Sequence, residues 1–279
     1  MNFRNRSSFP DDEGNLHDEI QTLKREINLA RNIQSKLLNA EVPKLSSGEV
    51  TGRSIPARLI GGDYFDFYPL ANGKVRIVIG DVMGKGIPAA MLMILTRGAF
   101  RSAAVSTTGP GETLTAMNNA LYRDLRSLRS FVTVFCADWD PEQRILTFAN
   151  AGHPLPLFLG KSMVEELPRV TGVMLGGLPN QTYQEKHVHL NANQYILFYT
   201  DGIVEAQNQA GEQFTIERLK NTLLKNEGKD VGNVETAVVD AVFDFIGDKT
   251  QKDDITMVTL RVGEDRTDIS SFNAPMIYS

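Results

Sequence analysis

The stretch FVTVFCADWDPEQRILTFA, residues 131–149, decides the fold. Two runs rich in β-branched and aromatic residues, 131–139 and 144–149, are separated only by Asp140, Pro141, Glu142 and Gln143, which have turn chemistry and are too few for a crossover. The two strands must therefore run antiparallel. Further strand patterns recur at 75–79 (VRIVI), 195–199 (YILFY) and 255–262, and helical periodicity covers 88–104, 112–125, 216–226 and 234–246. Pro88 suits the first turn of its helix, while Asn233 and Gly247 suit the N-cap and closing glycine of the last one. Strands joined by turns, with helices arriving in pairs, predict an α+β fold of antiparallel sheet covered by helices and exclude a doubly wound parallel sheet. The helix from Pro88 contains AAMLMIL, apolar nearly all round, and is expected to be buried.

Outward from this core the chain divides by composition. Residues 1–14 and 263–279 lack apolar periodicity and read as disordered tails. Residues 15–42 form a linker helix closed by Pro43, in which Leu16, Ile20, Leu23, Ile27, Ala30, Gln34 and Leu37 step alternately by four and three. Ile falls at a and Leu at d, and Glu19 and Glu26 at g face Lys24 and Arg31 at e of a second copy, so a parallel homodimeric coiled coil is expected, with docking on its own domain as the alternative. Gln34 at an a position is expected to weaken the C-terminal end of that pair. Residues 43–262 carry no repeat and no linker-like composition and form one domain.

With 29 Lys and Arg against 34 Asp and Glu, the net charge of −5 offers no cationic surplus for a nucleic-acid backbone. The longest apolar stretch, 87–95, is about half a membrane span and contains Pro88, so membrane insertion is not expected. The single cysteine, Cys136, lies within a strand pattern as an inert core thiol, and a cytoplasmic, reducing location follows.

Four acidic sites stand beside glycines or at strand ends: Asp63 in IGGDYFDF, Asp81 in RIVIGDVMGKG, Asp201 in LFYTDGIVEA, and the pair Asp253 and Asp254 in QKDDITMV. One Asp-Gly is ordinarily a turn, but four acids in one context suggest clustering, and clustered carboxylates call for a hard divalent cation with oxygen ligands. Residues 80–86 (GDVMGKG) are one residue short between glycines for a P-loop and lack Ser or Thr after Lys85; no G-x-S-x-G or H-E-x-x-H occurs. His153 in NAGHPLP reads as a structural turn histidine, with support of a site residue from behind as the alternative.

Taken in order, IGGDYFDF, GDVMGKGIPAAM, NAGHPLP, YTDGIVEA and KDDITMV resemble the metal-dependent protein Ser/Thr phosphatases (PPM, protein phosphatase 2C-like), in their bacterial RsbU/SpoIIE-like branch. The resemblance spans about residues 40–262, and LARNIQSKLL before Pro43 is similar to the helix joining sensors to that catalytic domain. It implies two antiparallel sheets sandwiched by helices and a centre of two divalent cations, Mn²⁺ or Mg²⁺, that activate a water for in-line attack on a phosphoserine or phosphothreonine. The implied metal ligands are Asp63, Asp81, the carbonyl of Val82, Asp201 and Asp253, with Asp254 the second choice in its motif. Arg58 stands where eukaryotic relatives place a phosphate-binding Arg, and a plain surface role is the alternative. Met83 replaces their proposed general-acid His, which leaves protonation of the leaving group without an assigned side chain. The implied substrate is a phosphorylated STAS-domain anti-sigma-factor antagonist in a partner-switching stress-response pathway. A separate activator or sensor protein is expected to act on the N-terminal helix, since too few residues precede it for a fused sensor. A non-catalytic signalling module of the same fold and a metallohydrolase of small phosphoesters are the alternatives.

Overall fold

A computed structural model describes residues 12–38 and 42–264. The chain runs through α1 (Asp12–Leu38), β1 (Glu49–Ile55), β2 (Tyr64–Pro69), β3 (Val75–Val82), α2 (Ile87–Ala104), α3 (Pro110–Ser127), β4 (Val132–Asp140) and β5 (Ile145–Ala151). It continues through β6 (Leu157–Gly160), β7 (Met163–Glu166), β8 (Lys186–His189), β9 (Tyr195–Tyr199), α4 (Asp201–Val204), α5 (Thr215–Lys225), α6 (Val231–Ile246) and β10 (Ile255–Arg261).

The expected turn between β4 and β5 forms because Asp140 accepts the backbone N–H groups of Glu142 and Gln143, at 3.0 and 2.9 Å, and also pairs with Lys74 at 2.8 Å. The strands make two five-stranded sheets, β1-β10-β9-β6-β7 and β2-β3-β4-β5-β8, and every pairing between them is antiparallel. The sheets pack face to face through Phe65, Ile77, Ile79, Phe135 and Phe148 on one side and Ile196, Phe198, Val258 and Leu260 on the other. Phe135 joins them, with its ring centroid 5.5 Å from Phe148 in its own sheet and 5.7 Å from Phe198 in the other. α2 and α3 cover the outer face of the β3 sheet, and α5 and α6 cover that of the β9 sheet. Strands such as β3 are thus buried on both faces, so they read as near-continuous apolar runs and not as alternation, with Arg76 the buried exception, paired with Asp138 at 2.6 Å.

Four expectations need correction. α1 begins at Asp12, three residues inside the segment read as a tail; the remainder of that tail, residues 39–41 and residues 265–279 lie outside the described residues. The N-cap of α6 is Asp230, whose side chain accepts from the Asn233 N–H at 2.8 Å, because a carboxylate one turn earlier can reach that donor; Gly247, at φ 60°, closes the helix as expected. α2 is not buried all round. Ala89, Met93, Phe100 and Ala104 face the sheet, whereas Ile87, Met91, Ile94 and Leu95 are exposed, since one sheet can cover only one side of a helix. Gln34, finally, is not part of an open heptad stripe. It is buried, its Nε2 donating to the Gly61 carbonyl at 2.7 Å and its Oε1 accepting the Gly61 N–H at 3.1 Å. Leu16, Ile20 and Leu23, by contrast, are exposed along the rest of that helix. No helix among the described residues is long and apolar enough to cross a membrane.

Candidate active site

The acids singled out in the sequence gather where one end of both sheets meets. Asp81 is the seventh residue of β3, opposite Thr133 on β4, and Val82 follows it opposite Val132. Asp63 immediately precedes β2, the other neighbour of β3. From the second sheet, Asp201 opens α4 directly after β9, and Asp253 and Asp254 lead into β10, the neighbour of β9. Each sheet therefore contributes part of the cluster, held at strand ends where the ladder fixes the backbone.

Close backbone approach brings these strand ends together. A Cβ on Gly202 would lie 1.9 Å from the carbonyl oxygen of Asp254, so the Asp201 turn can rest on the Asp253–Asp254 loop only without a side chain there. A Cβ on Gly62 would lie 3.1 Å from the carbonyl oxygen of Val82, which shows how closely the Asp63 loop passes over that carbonyl. Asp254 ties the loops together: its carboxylate accepts the N–H groups of Ala57 and Gly62, each at 2.7 Å, and of Asp63 at 3.4 Å. The Gln34–Gly61 pair adds α1 to the same loop, one residue from Gly62.

The electrostatics show crowding of like charge. Burial, then the charges of Asp81 and Asp254, hold Asp63 well above the usual carboxylate range, although Thr200 Oγ1 donates to its Oδ2 at 2.7 Å. Burial and the charge of Asp201, with smaller contributions from Asp253 and Asp254, raise Asp81 to about 7. Asp201 is also raised, by burial and by the neighbouring Glu205 and Asp253. Asp253 meets a cation, Lys85, whose Nζ lies 2.7 Å from its Oδ2 and donates to the Lys252 carbonyl at 2.6 Å. Among the described residues no three His, Cys, Asp or Glu side chains form a ready-made ligand group, and Asp253 and Asp254 are engaged with these other partners. The donor set nonetheless suits a hard cation, since carboxylate oxygens that raise one another's pKa are the groups whose repulsion such an ion relieves.

Arg58 is exposed, and its Nη1 would lie 3.4 Å from a Cβ on Gly86, which places the guanidinium over the turn that follows Asp81. Met83 is half-exposed on the same turn. His153 is buried beside the site, its Nδ1 2.9 Å from the hydroxyl of Thr133, and burial lowers its pKa to about 3, which keeps the ring neutral. Lys85 and Gln34 were not read from the sequence as members of this region. The partner of Lys85 is 168 residues away and that of Gln34 is a backbone, so neither leaves a local pattern.

A family model described as Stage II sporulation protein E (SpoIIE) matches residues 71–263. The chain belongs to the SpoIIE family. That span contains Asp81, Val82, Asp201, Asp253 and Asp254, while Arg58 and Asp63 precede it. The phosphoserine phosphatase RsbU of Bacillus subtilis is 27% identical over 245 residues, covering 86% of this chain and 71% of RsbU. The phosphoserine phosphatase RsbP of the same organism is 23% identical over 185 residues, covering 65% of this SpoIIE-family chain and 46% of RsbP. The solved SiaA-PP2C domain of Pseudomonas aeruginosa superposes with a TM-score of 0.75 at 22% identity, over 87% of this chain and 98% of that domain, and so shares its fold of two sheets between helices.

Proposed function

We propose that this chain is a metal-dependent protein serine/threonine phosphatase that removes phosphate from a phosphoserine or phosphothreonine of a regulatory protein. The observation that carries the reading is the meeting of Asp63 and Asp81 from one sheet with Asp201, Asp253 and Asp254 from the other, with three of them raised in pKa. Membership of the SpoIIE family and similarity to two proteins named as phosphoserine phosphatases support it.

In this reading Asp63, Asp81, Asp201, Asp253 and the carbonyl of Val82 hold two divalent cations, Mn²⁺ or Mg²⁺, with Asp254 the second choice beside Asp253. Such ions, when bound, acidify a water for in-line attack and neutralise the phosphoryl oxygens. Asp254 holds the Gly62–Asp63 backbone in place, and Lys85 balances the charge of Asp253. Arg58 binds the substrate phosphate as it enters over Gly86. No side chain is assigned to protonate the leaving group, because Met83 cannot and His153 is buried and neutral.

The substrate is a phosphorylated STAS-domain antagonist of an anti-sigma factor. The exposed heptad face of α1 pairs two copies into a homodimer, on which a separate activator or sensor acts in the cytoplasm. Candidate phosphorylated STAS proteins incubated with Mn²⁺ are expected to release inorganic phosphate, and an Asp201→Asn variant is expected not to. Equal turnover by folded Asp201→Asn, or by the wild-type chain in metal-free buffer, would overturn the proposal.

A further inference from the structure

Beside the acid cluster, on the β4 side, lies a cleft of about 510 Å³ whose lining includes Arg126, Arg129, Phe131, Met174 and Gly176. We infer that Arg126 and Arg129 bind an acidic side chain flanking the phosphorylated residue of the substrate. The inference rests on the phosphatase reading and names the class of phosphopeptide that the site prefers.

The position follows from strand register. Val82 is opposite Val132 on β4, and the Met83 N–H donates to the Phe131 carbonyl at 3.0 Å, so the floor of the cleft is one strand spacing from the turn that follows Asp81. From Phe131 the chain reaches Arg129 in two residues. A peptide with its phosphate at the acids would therefore place a side chain a few residues away at the arginines, given about 3.3 Å per extended residue.

The cleft is built and not a loose surface. Its far wall is bonded to β4 by a reciprocal pair, Val132 N–H to Leu175 carbonyl at 3.1 Å and Leu175 N–H to Val132 carbonyl at 2.9 Å. Asn118 on α3 fixes the same wall, accepting the Gly176 N–H at 3.0 Å and donating to the Leu178 carbonyl at 3.0 Å. Arg129 is held in the left-handed region at φ 52°, and the next residue, Ser130, donates its N–H to the Leu125 carbonyl at 2.9 Å. No carboxylate lines the cleft, both arginines are exposed, and neither guanidinium has a hydrogen bond or ion pair among the described residues. Two cations without partners, set on fixed backbone beside a centre for a phosphoester, suit a second anionic group on the same substrate. A cation in the last turn of a helix also favours the helix dipole, which would account for Arg126 alone but not for Arg129 beyond the helix end.

The test uses phosphoserine peptides carrying Asp or Ala at positions two to four residues to either side, with Mn²⁺ and the full chain. The wild-type chain is expected to show a lower KM for Asp peptides on one side of the phosphoserine, and this preference should fall with added salt. Combining Arg126→Ala with Arg129→Ala is expected to raise KM for Asp peptides roughly tenfold, to the Ala-peptide value, with kcat unchanged. Arg129→Glu is a second variant, expected to favour Lys-flanked peptides instead. Equal KM for Asp and Ala peptides on the wild-type chain, or a preference that survives these substitutions, overturns the inference. Failure of the wild-type chain to release phosphate from any phosphorylated STAS protein or phosphoserine peptide with Mn²⁺ would instead overturn the phosphatase reading, so the two failures are distinct.

Discussion

Asp81 is caught between burial beside other carboxylates, which favours its protonated form and raises its pKa to about 7, and a proposed role that needs the ionised form. Without metal, the stability contributed by this raised pKa is fully present below the ordinary value of 3.8 and is lost as pH rises through about 7. Asp81→Asn in metal-free buffer is therefore expected to raise the melting temperature, and more at pH 8 than at pH 5. Mn²⁺ is expected to raise the melting temperature of the wild-type chain, and the same substitution to abolish that rise. An equal gain at both pH values in thermal unfolding would show that Asp81 is not under this pressure. Glu235 on α6 offers a parallel case away from the site: burial raises it to about 8, and its Oε1 has no hydrogen-bond partner among the described residues. Glu235→Gln should leave stability near neutral pH little changed or higher, and remove a loss of about 2 kcal/mol between pH 6 and 8.5 in chemical denaturation. The five acids were legible in the sequence because each stands beside glycine or at a strand end. Asp254 was legible as an acid but not as the acceptor for Ala57 and Gly62, since backbone donors leave no signature in residue type.

Helices and strands were legible to different depths. The β4–β5 hairpin and the long helices were read because a turn or a 3.6-residue period marks them. β6, β7 and β8 were missed because each is only four residues long, β1 and β2 because EVTGRSI is mostly polar and YFDFYP is interrupted by an acid and ends on proline, and α4 was hidden within an Asp-Gly motif. The exposed apolar side of α2 was misread because its composition cannot say that only one sheet is available to cover it. In α1 the heptad was visible, but the docking of Gln34 on Gly61 was not, and this changes what a substitution there should do. Gln34→Ile leaves the N–H and carbonyl of a buried glycine unpaired, at a cost of about 1 to 3 kcal/mol, and does not simply tighten a coiled coil. Hydrogen exchange at the Gly61 and Gly62 amides is expected to accelerate in this variant while β3 amides stay protected. Unchanged exchange at Gly61 would return Gln34 to the role of a mere heptad residue.

For the molecule as a whole, α1 carries Leu16, Ile20 and Leu23 exposed on one stripe, which suits a second copy of the helix. Leu23→Glu is expected to shift sedimentation toward the monomer at micromolar concentration while the melting temperature of the catalytic domain stays within a few degrees. A monomeric wild-type chain under the same conditions would remove the dimer. The division of the acids between two sheets bears also on the order of events in synthesis. Asp63 and Asp81 emerge early, but Asp201 comes far later, and Asp253 and Asp254 lie just ahead of β10, the strand that pairs with both β1 and β9. A chain still on the ribosome, or one truncated before residue 254, holds at most part of the cluster and lacks the strand that joins the first segment of its sheet to the last. On the proposed reading, activity arrives only with β10, so that a copy lacking this strand is expected to release no phosphate.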